Sequence, residues 1–573
     1  MKENTFIRSI RLVPEIYKPF LWSSLIAVTG TIIRMIGPQL ISRGIDNGVV
    51  VNDYQYLIEQ CFYYFISLVA LYFVASKALL SIGLVGETYV KNIRQKLFRH
   101  MSSLDINYFE KNKTGVLVAR MTSDMQSLNE FAREGASSIL TSLLTIFGAT
   151  IAVFLVDVQL ALLSFVILPL LGLATKIFRK HADKTYWAVR EWIGQVLSSL
   201  QEGISGVRVI QAYADEKDQL NRFQKVNNEH LKANMQSAKN IAIYFPFLEI
   251  TRVSSIALVI WFAARRISEG TLTVGELVAM LFYLNYFFDP LIQLSFNYDL
   301  LRSAGSSMKK VFSILDEEPV LSNKGDMHPV EDTDKVIKFE NVEFSYGRET
   351  VLHNVNFEIK KGEKVAIVGE TGAGKSTIAK LILRFYLPSE GDVKFYNLST
   401  EDVSQRWARK NIAYVPQESF LFRGSIRENL IYSNPDSINL EDELLEIGVL
   451  DWFDRYENGL EQEVGERGSN VSAGERQFVA LLRSVLAKRE IIVFDEATAN
   501  LDIESESSIL EATDKLLQNQ TSIVIAHRLE TILNSEKILV MDKGRLVGFD
   551  SHINLLQENE TYRELFSAWN LIS

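Results

Sequence analysis

Residues 365–382 read VAIVGETGAGKSTIAKLI: a short apolar run enters a glycine-rich loop and continues as an amphipathic segment. The loop has the spacing Gly369-x-x-x-x-Gly374-Lys375-Ser376. Glycines let backbone N–H groups converge on phosphate oxygens, and a helix that begins at the loop adds the positive end of its dipole. Strand, glycine loop and helix in this order predict an α/β domain of the phosphate-loop class that binds ATP or GTP.

Individual residues of this phosphate loop have separate predicted tasks. Lys375 can reach the β- and γ-phosphates, and the Ser376 hydroxyl can ligate Mg²⁺. The predicted nucleotide-contacting residues of the loop are Gly369, Glu370, Thr371, Gly372, Ala373, Gly374, Lys375, Ser376 and Thr377. The loop therefore predicts a nucleoside triphosphate with Mg²⁺ as the cofactors of this domain.

A second apolar strand is predicted in EIIVFDEATANLD, residues 490–502, and it ends in Asp495 and Glu496. Asp495 can hold Mg²⁺ through water, and Glu496 is placed to polarise an attacking water as a general base. His527 follows a third apolar strand, at a position from which a side chain can contact the γ-phosphate. Two adjacent carboxylates alone would be an ordinary solvated strand end, but downstream of a phosphate loop they indicate hydrolysis.

The first half of the chain differs in composition from the second. Apolar residues make up 47% of the whole protein and are concentrated in the first half. Six of its stretches are long and apolar enough to cross ~30 Å of hydrocarbon as helices. They lie at about 20–41, 61–85, 136–156, 158–177, 242–264 and 274–294. Buried helices of a large soluble protein are the alternative, which the number of such stretches disfavours.

Basic residues orient the spans, because cytoplasmic loops of membrane proteins carry an excess of Lys and Arg. The loop after span two contains Lys91, Arg94, Lys96, Arg99, Lys111, Lys113 and Arg120. The loop after span four contains Arg179, Lys180, Lys184, Arg190, Arg208, Lys217, Arg222 and Lys225. We therefore expect a multi-pass protein of the plasma (inner) membrane with both termini cytoplasmic. Arg265 and Arg266, in the loop after span five, oppose this rule.

The long loops carry helical periodicity, so the spans are predicted to continue as helices into the cytosol. A short polar turn is expected near Arg120–Gln126 in the first loop and near Gly206–Glu216 in the second. The domain boundaries predicted from these patterns are a membrane domain at 1–320, a polar linker at 321–335 and a nucleotide-binding domain at 336–573.

Charged residues also occur in or near the apolar spans: Arg34, Lys77, Glu249, Arg252 and Asp289. Glu249 and Arg252 are three residues apart, so they share a helix face and can pair. Two interpretations remain open, a substrate-contacting or gating pair in an aqueous cavity and a structural bridge between helices. For the aromatic run of Tyr283, Tyr286, Phe287 and Phe288, packing is favoured over a pocket for an amphiphile.

Charge and cysteine content limit the classes of partner. The net charge is −10 and Lys and Arg form no dominating cluster, which disfavours nucleic acid as the main partner. Cys61 is the single cysteine, so a disulfide framework or a cysteine-based metal site is excluded.

With these elements in order, the whole chain resembles the ABC transporters, specifically half-size type IV exporters in which a membrane domain precedes a nucleotide-binding domain. Tyr346 in EFSYG matches the aromatic residue that stacks on adenine, and Gln417 in YVPQES matches the glutamine at the domain interface, which also reaches the metal. Asp502 matches the loop after the magnesium strand and His527 the switch histidine. Segment 463–468, EVGERG, resembles the one that contacts the cytoplasmic loops.

The ABC signature is matched by NVSAGERQ, in which Ser472 and Gly474 would face the γ-phosphate of a second chain. The family's Leu-Ser-Gly-Gly-Gln reads Val-Ser-Ala-Gly-Glu here, so Ala473 and Glu475 depart from the pattern. An altered signature beside an intact catalytic glutamate is typical of one half of a heterodimeric exporter. The resemblance therefore favours a heterodimer, while a homodimer with mild variations remains open.

This resemblance implies two nucleotide domains that close head to tail on ATP and drive export through the lipid bilayer by alternating access. The leading hypothesis is ATP-driven export of amphiphilic small molecules, as in bacterial multidrug exporters. A lipid or peptide exporter of the same architecture is the first alternative. An ATP-gated channel or sensor subunit is the second, and the set of Lys375, Asp495, Glu496 and His527 argues against it, because such a protein needs no catalytic base.

Overall fold

The computed structural model describes residues 5–319, 321, 325–331, 333–434, 439–495, 520–526 and 529–570. The chain forms two compact units. One unit comprises Met1–Arg99 and Gly115–Asp316, and the other comprises His100–Thr114 and Glu317–Ser573. The first unit consists of long helices, and the second contains the strands.

Six helical segments of the described chain are long and apolar enough to cross a membrane. They are Pro14–Val49, Tyr54–Ser103, Thr114–Val156, Val158–Ser205, Glu216–Ser268 and Val274–Leu315. Each segment contains one of the six predicted spans, which confirms the predicted helical membrane domain. The segments contain 36 to 53 residues, whereas about 20 suffice to cross a bilayer. The helices therefore continue beyond the hydrocarbon, as their periodicity predicts.

From residue 5 to residue 315 the chain is almost entirely α-helical, interrupted by turns and by short 3₁₀ and π-helical segments. The α-helices are α1 (Thr5–Arg11), α2 (Tyr17–Arg43), α3 (Tyr54–Ser103), α4 (Ile106–Lys111), α5 (Thr114–Met121), α6 (Ser123–Glu130), α7 (Ala136–Val156), α8 (Val158–Phe165), α9 (Leu168–Ser205), α10 (Val207–Ala212), α11 (Glu216–Ser268) and α12 (Val274–Leu315). A 3₁₀ turn covers Pro14–Ile16, and π-helical turns cover Gly44–Val49 and Phe131–Gly135.

A tight turn joins spans three and four, since α7 ends at Val156 and α8 begins at Val158. Asp157 between them caps α8 by accepting the Leu160 N–H at 2.8 Å. The same carboxylate lies 2.5 Å from Nη1 of Arg266. Arg266, near the end of α11, is therefore paired with an acidic residue of the loop between spans three and four.

Asp46 joins the end of the first span to the start of α12. Its carboxylate accepts the Thr273 hydroxyl at 2.7 Å and the Gly275 N–H at 2.8 Å. A Cβ on Gly275 would lie 2.3 Å from the carbonyl oxygen of Ser42. The close approach of the two segments therefore requires a glycine at this position.

The turn expected near Arg120–Gln126 is wrong: the first cytoplasmic loop turns around α4, between Ser103 and Thr114. Asp124 is buried instead, and it accepts hydrogen bonds from Arg120 at 2.7 Å, Ser307 at 3.0 Å and Lys310 at 3.1 Å. The Asp124 carboxylate is therefore satisfied inside the helical unit, while Thr122, Ser123 and Gln126 are exposed on α6 and just before it.

The second cytoplasmic loop turns where it was expected. Near Gly206–Glu216, the short helix α10 separates α9 from α11. Gly206 ends α9, and its N–H donates to the carbonyl of Glu202 at 2.8 Å.

The predicted pair of Glu249 and Arg252 is confirmed. Arg252 Nε donates to the Glu249 carboxylate at 3.1 Å, and Nη1 donates to Oδ1 of Asn285 at 2.8 Å. Asp289 on α12 lies 3.6 Å from the same guanidinium. These polar groups therefore form one cluster that joins α11 to α12 within the apolar spans.

The aromatic run on α12 serves mainly in packing, as the favoured interpretation had it. Tyr283, Phe287 and Phe288 are buried in the apolar core of the membrane unit. The Tyr283 hydroxyl donates to the carbonyl of Met35 at 2.7 Å, so its polar end is satisfied. Tyr286 lies beneath the guanidinium of Arg34, 4.7 Å from ring centroid to Cζ, which is a cation–π distance.

The second unit contains, among its described residues, a six-stranded sheet in the order β12-β11-β3-β10-β9-β6. Strands β11, β3, β10, β9 and β6 are parallel, and β12 is an antiparallel edge strand. The bounds are β3 (Lys364–Gly369), β6 (Ile412–Val415), β9 (Ile491–Asp495), β10 (Thr521–Ile525), β11 (Lys537–Asp542) and β12 (Arg545–Asp550). The predicted α/β phosphate-loop domain is confirmed.

An antiparallel sheet of the order β2-β1-β4-β5 packs in the same core. Its strands are β1 (Lys335–Tyr346), β2 (Glu349–Lys360), β4 (Glu390–Phe395) and β5 (Leu398–Ser399), while β7 (Gly424–Ser425) pairs with β8 (Glu463–Val464). The described helices are α13 (Lys375–Ile382), α14 (Gln405–Asn411), α15 (Ile426–Leu430), α16 (Leu440–Ile447), α17 (Ala473–Leu486), α18 (Leu529–Leu533), α19 (His552–Glu558) and α20 (Glu560–Asn570). Short 3₁₀ turns lie at Ile431–Ser433, Leu450–Arg455, Gly459–Glu461 and Glu466–Gly468.

Candidate nucleotide site

The site is built at the edge of the parallel sheet where its strands end. Strands β3, β10, β9 and β6 are parallel neighbours, so their carboxyl ends lie along one edge. The phosphate loop follows β3, Asp495 ends β9, and Gln417 lies two residues beyond the end of β6. Ligands of open α/β sheets bind at this edge, because the loops that leave the strands converge there.

Two glycines give the phosphate loop its shape. Gly369 has φ +150°, and a Cβ there would lie 2.2 Å from the carbonyl oxygen of Met541 on β11. Gly374 has φ +98° and is the N-cap residue of α13, and a Cβ there would lie 2.7 Å from the Leu352 side chain. Both positions combine a backbone conformation that favours glycine with a close neighbour. The loop is therefore held as a fixed cradle against β11 and β2.

Lys375 points its ammonium group back into this cradle. Nζ donates to the carbonyls of Gly369 at 2.7 Å and Glu370 at 3.0 Å, and the residue is only 6% exposed. Because α13 begins at Lys375, the positive end of its dipole adds further positive potential at the loop. Glu370, Thr371, Gly372 and Ser376 are exposed, whereas Ala373, Gly374 and Thr377 are buried. This donor set fits a polyphosphate.

Asp495 is half-buried at the end of β9, and the Tyr414 hydroxyl on β6 donates weakly to its Oδ2 at 3.4 Å. Burial, the Asp495 carboxylate and the more distant Glu110 raise the pKa of Tyr414 above its ordinary value. Gln417 is exposed near the same edge. A hydroxyl from Ser376, a carboxylate and an amide oxygen are hard oxygen ligands, which is the donor chemistry that Mg²⁺ prefers. When bound, Mg²⁺ would neutralise phosphate charge there.

Tyr346 closes the described part of the site at the end of β1. It is 37% exposed, and edge-to-face contacts with Phe344 and Tyr386 hold the ring, at centroid distances of 4.8 Å and 5.4 Å. A partly exposed aromatic ring is a suitable platform for a nucleobase. Its predicted contact with adenine thus has a suitable geometry.

The signature segment has a defined structure at the start of α17. The Ser472 hydroxyl accepts the Glu475 N–H at 3.2 Å, and the Glu475 carboxylate accepts the Ser472 N–H at 2.7 Å. Arg476 donates to the carbonyls of Gly468 at 3.0 Å and Val471 at 2.8 Å, which ties segment 463–468 to the signature. Ser472 and Ala473 are exposed and Gly474 is half-buried.

Three predicted residues lie outside the described part of the chain: Glu496, Asp502 and His527. Their neighbours are described. Asp495 immediately precedes Glu496, and Ala526 at the end of β10 precedes His527. The parallel register places Asp495 beside Ile525, so strands β9 and β10 end at the same edge of the sheet, the one that carries the phosphate loop.

Several side chains near the site were missed by the sequence analysis. Lys380 on α13 and Tyr386 contact Glu110 of the first cytoplasmic loop, and Tyr414 contacts Asp495. Lys380 lies on the helix that follows the phosphate loop, so its position near the predicted nucleotide site could have been inferred. The partner Glu110 could not, because it is 270 residues away in the sequence.

Comparison with protein-family models matches both halves of the chain. Residues 20–291 match the model of the ABC transporter transmembrane region, and residues 352–499 match the ABC transporter model. The chain therefore joins both parts of an ABC transporter in one polypeptide.

Curated relatives agree with this match. The uncharacterized ABC transporter ATP-binding protein YknV of Bacillus subtilis (strain 168) is 32% identical, covering 95% of this chain and 91% of the relative. The ATP-dependent lipid A-core flippase of Desulfotalea psychrophila (strain LSv54 / DSM 12343) is also 32% identical, over 84% of this chain and 85% of the relative. The putative multidrug export ATP-binding/permease protein YgaD of Bacillus subtilis (strain 168) is 32% identical, over 84% of this chain and 83% of the relative.

A solved structure of a bacterial Atm1-family ABC exporter with ATP bound has the same fold. The TM-score is 0.82 at 24% identity, with 96% of this chain and 98% of that chain covered. ABC exporters of this kind function as dimers. The chain therefore belongs to the ABC transporters, as a multi-pass exporter half whose cytoplasmic ATPase domain binds ATP and couples its hydrolysis to transport.

Proposed function

We propose that this protein exports amphiphilic small molecules across the cytoplasmic membrane by alternating access, as one half of a multidrug-type exporter. The observation that carries the proposal is the cluster of Arg252, Glu249, Asn285 and Asp289 within the apolar spans. Charges at this depth rarely face lipid and mark substrate pathways. A polar cluster among apolar spans suits a cargo molecule that has both polar and apolar surface. One relative is named a putative multidrug export protein, which agrees with this proposal.

We assign the ATPase roles residue by residue. The phosphate loop from Gly369 to Thr377 cradles the phosphates, and Tyr346 stacks on adenine. Ser376, Asp495 and Gln417 hold Mg²⁺. Glu496 would polarise the attacking water, with His527 at the γ-phosphate and Gln417 at the metal, and Asp502 would contribute to the site from the part of the sequence that follows β9.

The functional division that fits these roles is a membrane domain at 1–320, a linker at 321–335 and a nucleotide-binding domain at 336–573. Segment His100–Thr114 belongs to the compact unit of the nucleotide-binding domain although it lies before residue 320. In the proposed division this segment is the part of the membrane domain through which cargo transport and ATP hydrolysis are coupled.

The second half of the transporter supplies the other signature. Ser472 caps α17 and is exposed, and Gly474 in the first turn of the helix is half-buried, so this helix end can approach a nucleotide held by another chain. A consensus signature from a different chain would complete the site that carries Lys375 and Glu496. The Ala473 and Glu475 departures favour this heterodimer over a homodimer. ATP hydrolysis by the chain purified alone in lipid decides between them: activity that Glu496→Gln abolishes means that a homodimer suffices.

Lipid export is the second candidate, supported by the relative named as a lipid A-core flippase. Inside-out vesicles that carry the transporter distinguish the candidates. We expect ATP-dependent accumulation of a fluorescent amphiphilic dye, which Glu496→Gln abolishes. Movement of a fluorescent phospholipid without dye accumulation would support the lipid candidate. ATP-dependent dye leak that persists in Glu496→Gln would overturn both and support a gated channel.

A further inference from the structure

The carboxylate of Glu110 is fully engaged by two residues next to the proposed adenine platform. Its Oε1 accepts Lys380 Nζ at 2.8 Å, and its Oε2 accepts the Tyr386 hydroxyl at 2.6 Å. Glu110 is the penultimate residue of α4, in the first cytoplasmic loop. Lys380 lies on the helix that begins at the phosphate loop. One side chain of the loop thus joins two residues of the nucleotide unit.

Lys380 and Tyr386 in turn contact Tyr346. Lys380 Nζ lies 5.6 Å from the centroid of the Tyr346 ring and 5.9 Å from that of Tyr386, both within cation–π distance. The two tyrosine rings meet edge to face at 5.4 Å. Glu110, Lys380, Tyr386 and Tyr346 therefore form one connected group, which we call the platform cluster.

The electrostatics of the platform cluster agree with its geometry. Burial opposes the charge on Glu110, but hydrogen bonds from Lys380 and Tyr386 outweigh it and hold the pKa of Glu110 below its usual range. Burial also disfavours the ammonium of Lys380, but Glu110 and Tyr346 outweigh it and raise the pKa of Lys380. Both partners are therefore charged at neutral pH, and the ion pair is maintained.

The rest of the loop segment is anchored independently of Glu110. His100 Nε2 lies 2.9 Å from the carbonyl oxygen of Glu317, and the Asp105 carboxylate accepts the Leu321 N–H at 3.2 Å. Removing the Glu110 charge would therefore leave α4 attached. Its main effect would fall on Lys380 and on the ring of Tyr346.

We propose that Glu110 is a positioning residue for the nucleobase: it holds Lys380 and Tyr386 against Tyr346, so the first cytoplasmic loop raises the affinity for ATP. This inference rests on the proposed contact between Tyr346 and adenine. The coupling is reciprocal, because a loop that strengthens ATP binding is itself held more firmly, by the same factor, when ATP is bound.

The test measures binding of the ATP analogue AMP-PNP and of inorganic tripolyphosphate to the full-length protein in lipid nanodiscs. Tripolyphosphate probes the phosphate loop without the base. We expect Glu110→Gln and Lys380→Gln each to weaken AMP-PNP about two- to five-fold, the size of a partly exposed cation–π contact, and to leave tripolyphosphate unchanged. The loss in the double variant should be smaller than the product of the two single losses, since the two residues share the contact between Glu110 and Lys380.

Two controls separate the possible failures. Lys113→Gln removes an exposed charge from the same loop segment and should change neither affinity. Tyr346→Ala should weaken AMP-PNP alone, and a Tyr346→Ala protein with unchanged affinity would overturn the adenine contact itself. Weakening by Tyr346→Ala but not by Glu110→Gln would overturn the positioning role. Equal loss of both ligands in Glu110→Gln would also overturn it, because that result indicates a general structural role.

Discussion

Ser472 and Glu475 cap α17 reciprocally: each accepts the backbone N–H of the other, at 3.2 Å and 2.7 Å. This arrangement is a capping box, in which a Ser or Thr pairs with Glu or Gln three residues later. The family's glutamine at the fifth signature position could make the same pair. The glutamate therefore preserves the local structure of the signature and changes its charge.

Substitution at Glu475 separates these two effects. We expect Glu475→Gln to leave the thermal unfolding temperature unchanged, because it keeps the capping box. Glu475→Ala should lower the free energy of unfolding by about 1 kcal/mol, the usual value of a lost helix cap. Thermal unfolding of the full-length protein measures both. Equal destabilisation by the two variants would show that the carboxylate itself is required, which contradicts a capping role.

The glycines of the phosphate loop should differ in their tolerance of alanine. Gly369 and Gly372 both have positive φ, but a Cβ at Gly372 meets no atom within 4 Å, whereas one at Gly369 meets Met541. We expect Gly372→Ala to cost only the ~1–2 kcal/mol of left-handed backbone strain. Gly369→Ala should cost more and abolish AMP-PNP binding, because β11 must move. Similar affinities for AMP-PNP in the two variants would contradict the cradle geometry.

Asp46 should stabilise the membrane unit through its two hydrogen bonds to the start of α12. We expect Asp46→Ala to destabilise this unit by about 1–3 kcal/mol, because the Gly275 N–H and the Thr273 hydroxyl lose their acceptor. Glu59→Ala, an exposed carboxylate on α3, is the matched control and should have little effect. Thermal unfolding in nanodiscs, followed by tryptophan fluorescence, makes the comparison. A shift no larger than that of the control would refute the role of Asp46.

The lowered pKa of Glu110 has a consequence for pH dependence. A carboxylate with a depressed pKa stabilises its contacts above its ordinary pKa of about 4.3 and loses that effect only as the pH falls through the depressed value. The ratio of AMP-PNP affinities between wild type and Glu110→Gln should therefore be constant from about pH 8 to pH 5.5. Using the ratio cancels titration of the nucleotide. A ratio that falls to one by pH 6 would contradict a stably charged Glu110.

The sequence predicted those features whose signals are local. The phosphate loop was recognisable because its glycines, Lys375 and the flanking strand and helix are contiguous, and the spans because hydropathy is read along a single helix. Pairing of Glu249 with Arg252 was predictable for the same reason, since three residues separate them on one helix.

Features that depend on distant partners could not be predicted. The polar stretch 120–126 resembled a turn, and only Ser307 and Lys310, far along the chain, show that Asp124 is buried. The ion pair of Arg266 with Asp157 is another example, because 109 positions separate the two residues in the sequence. The platform cluster is the same kind of case, because Glu110 and Lys380 share no sequence motif.

The most direct test of the central claim is Mg²⁺-dependent ATP hydrolysis by the tagged chain, isolated from its native membrane together with the second half that it carries. We expect the wild-type transporter to hydrolyse ATP and Glu496→Gln to reduce the rate by about 100-fold or more, since a general base contributes at least that much. A Glu496→Gln transporter that folds, binds AMP-PNP and hydrolyses ATP at the wild-type rate would contradict a catalytic site on this chain.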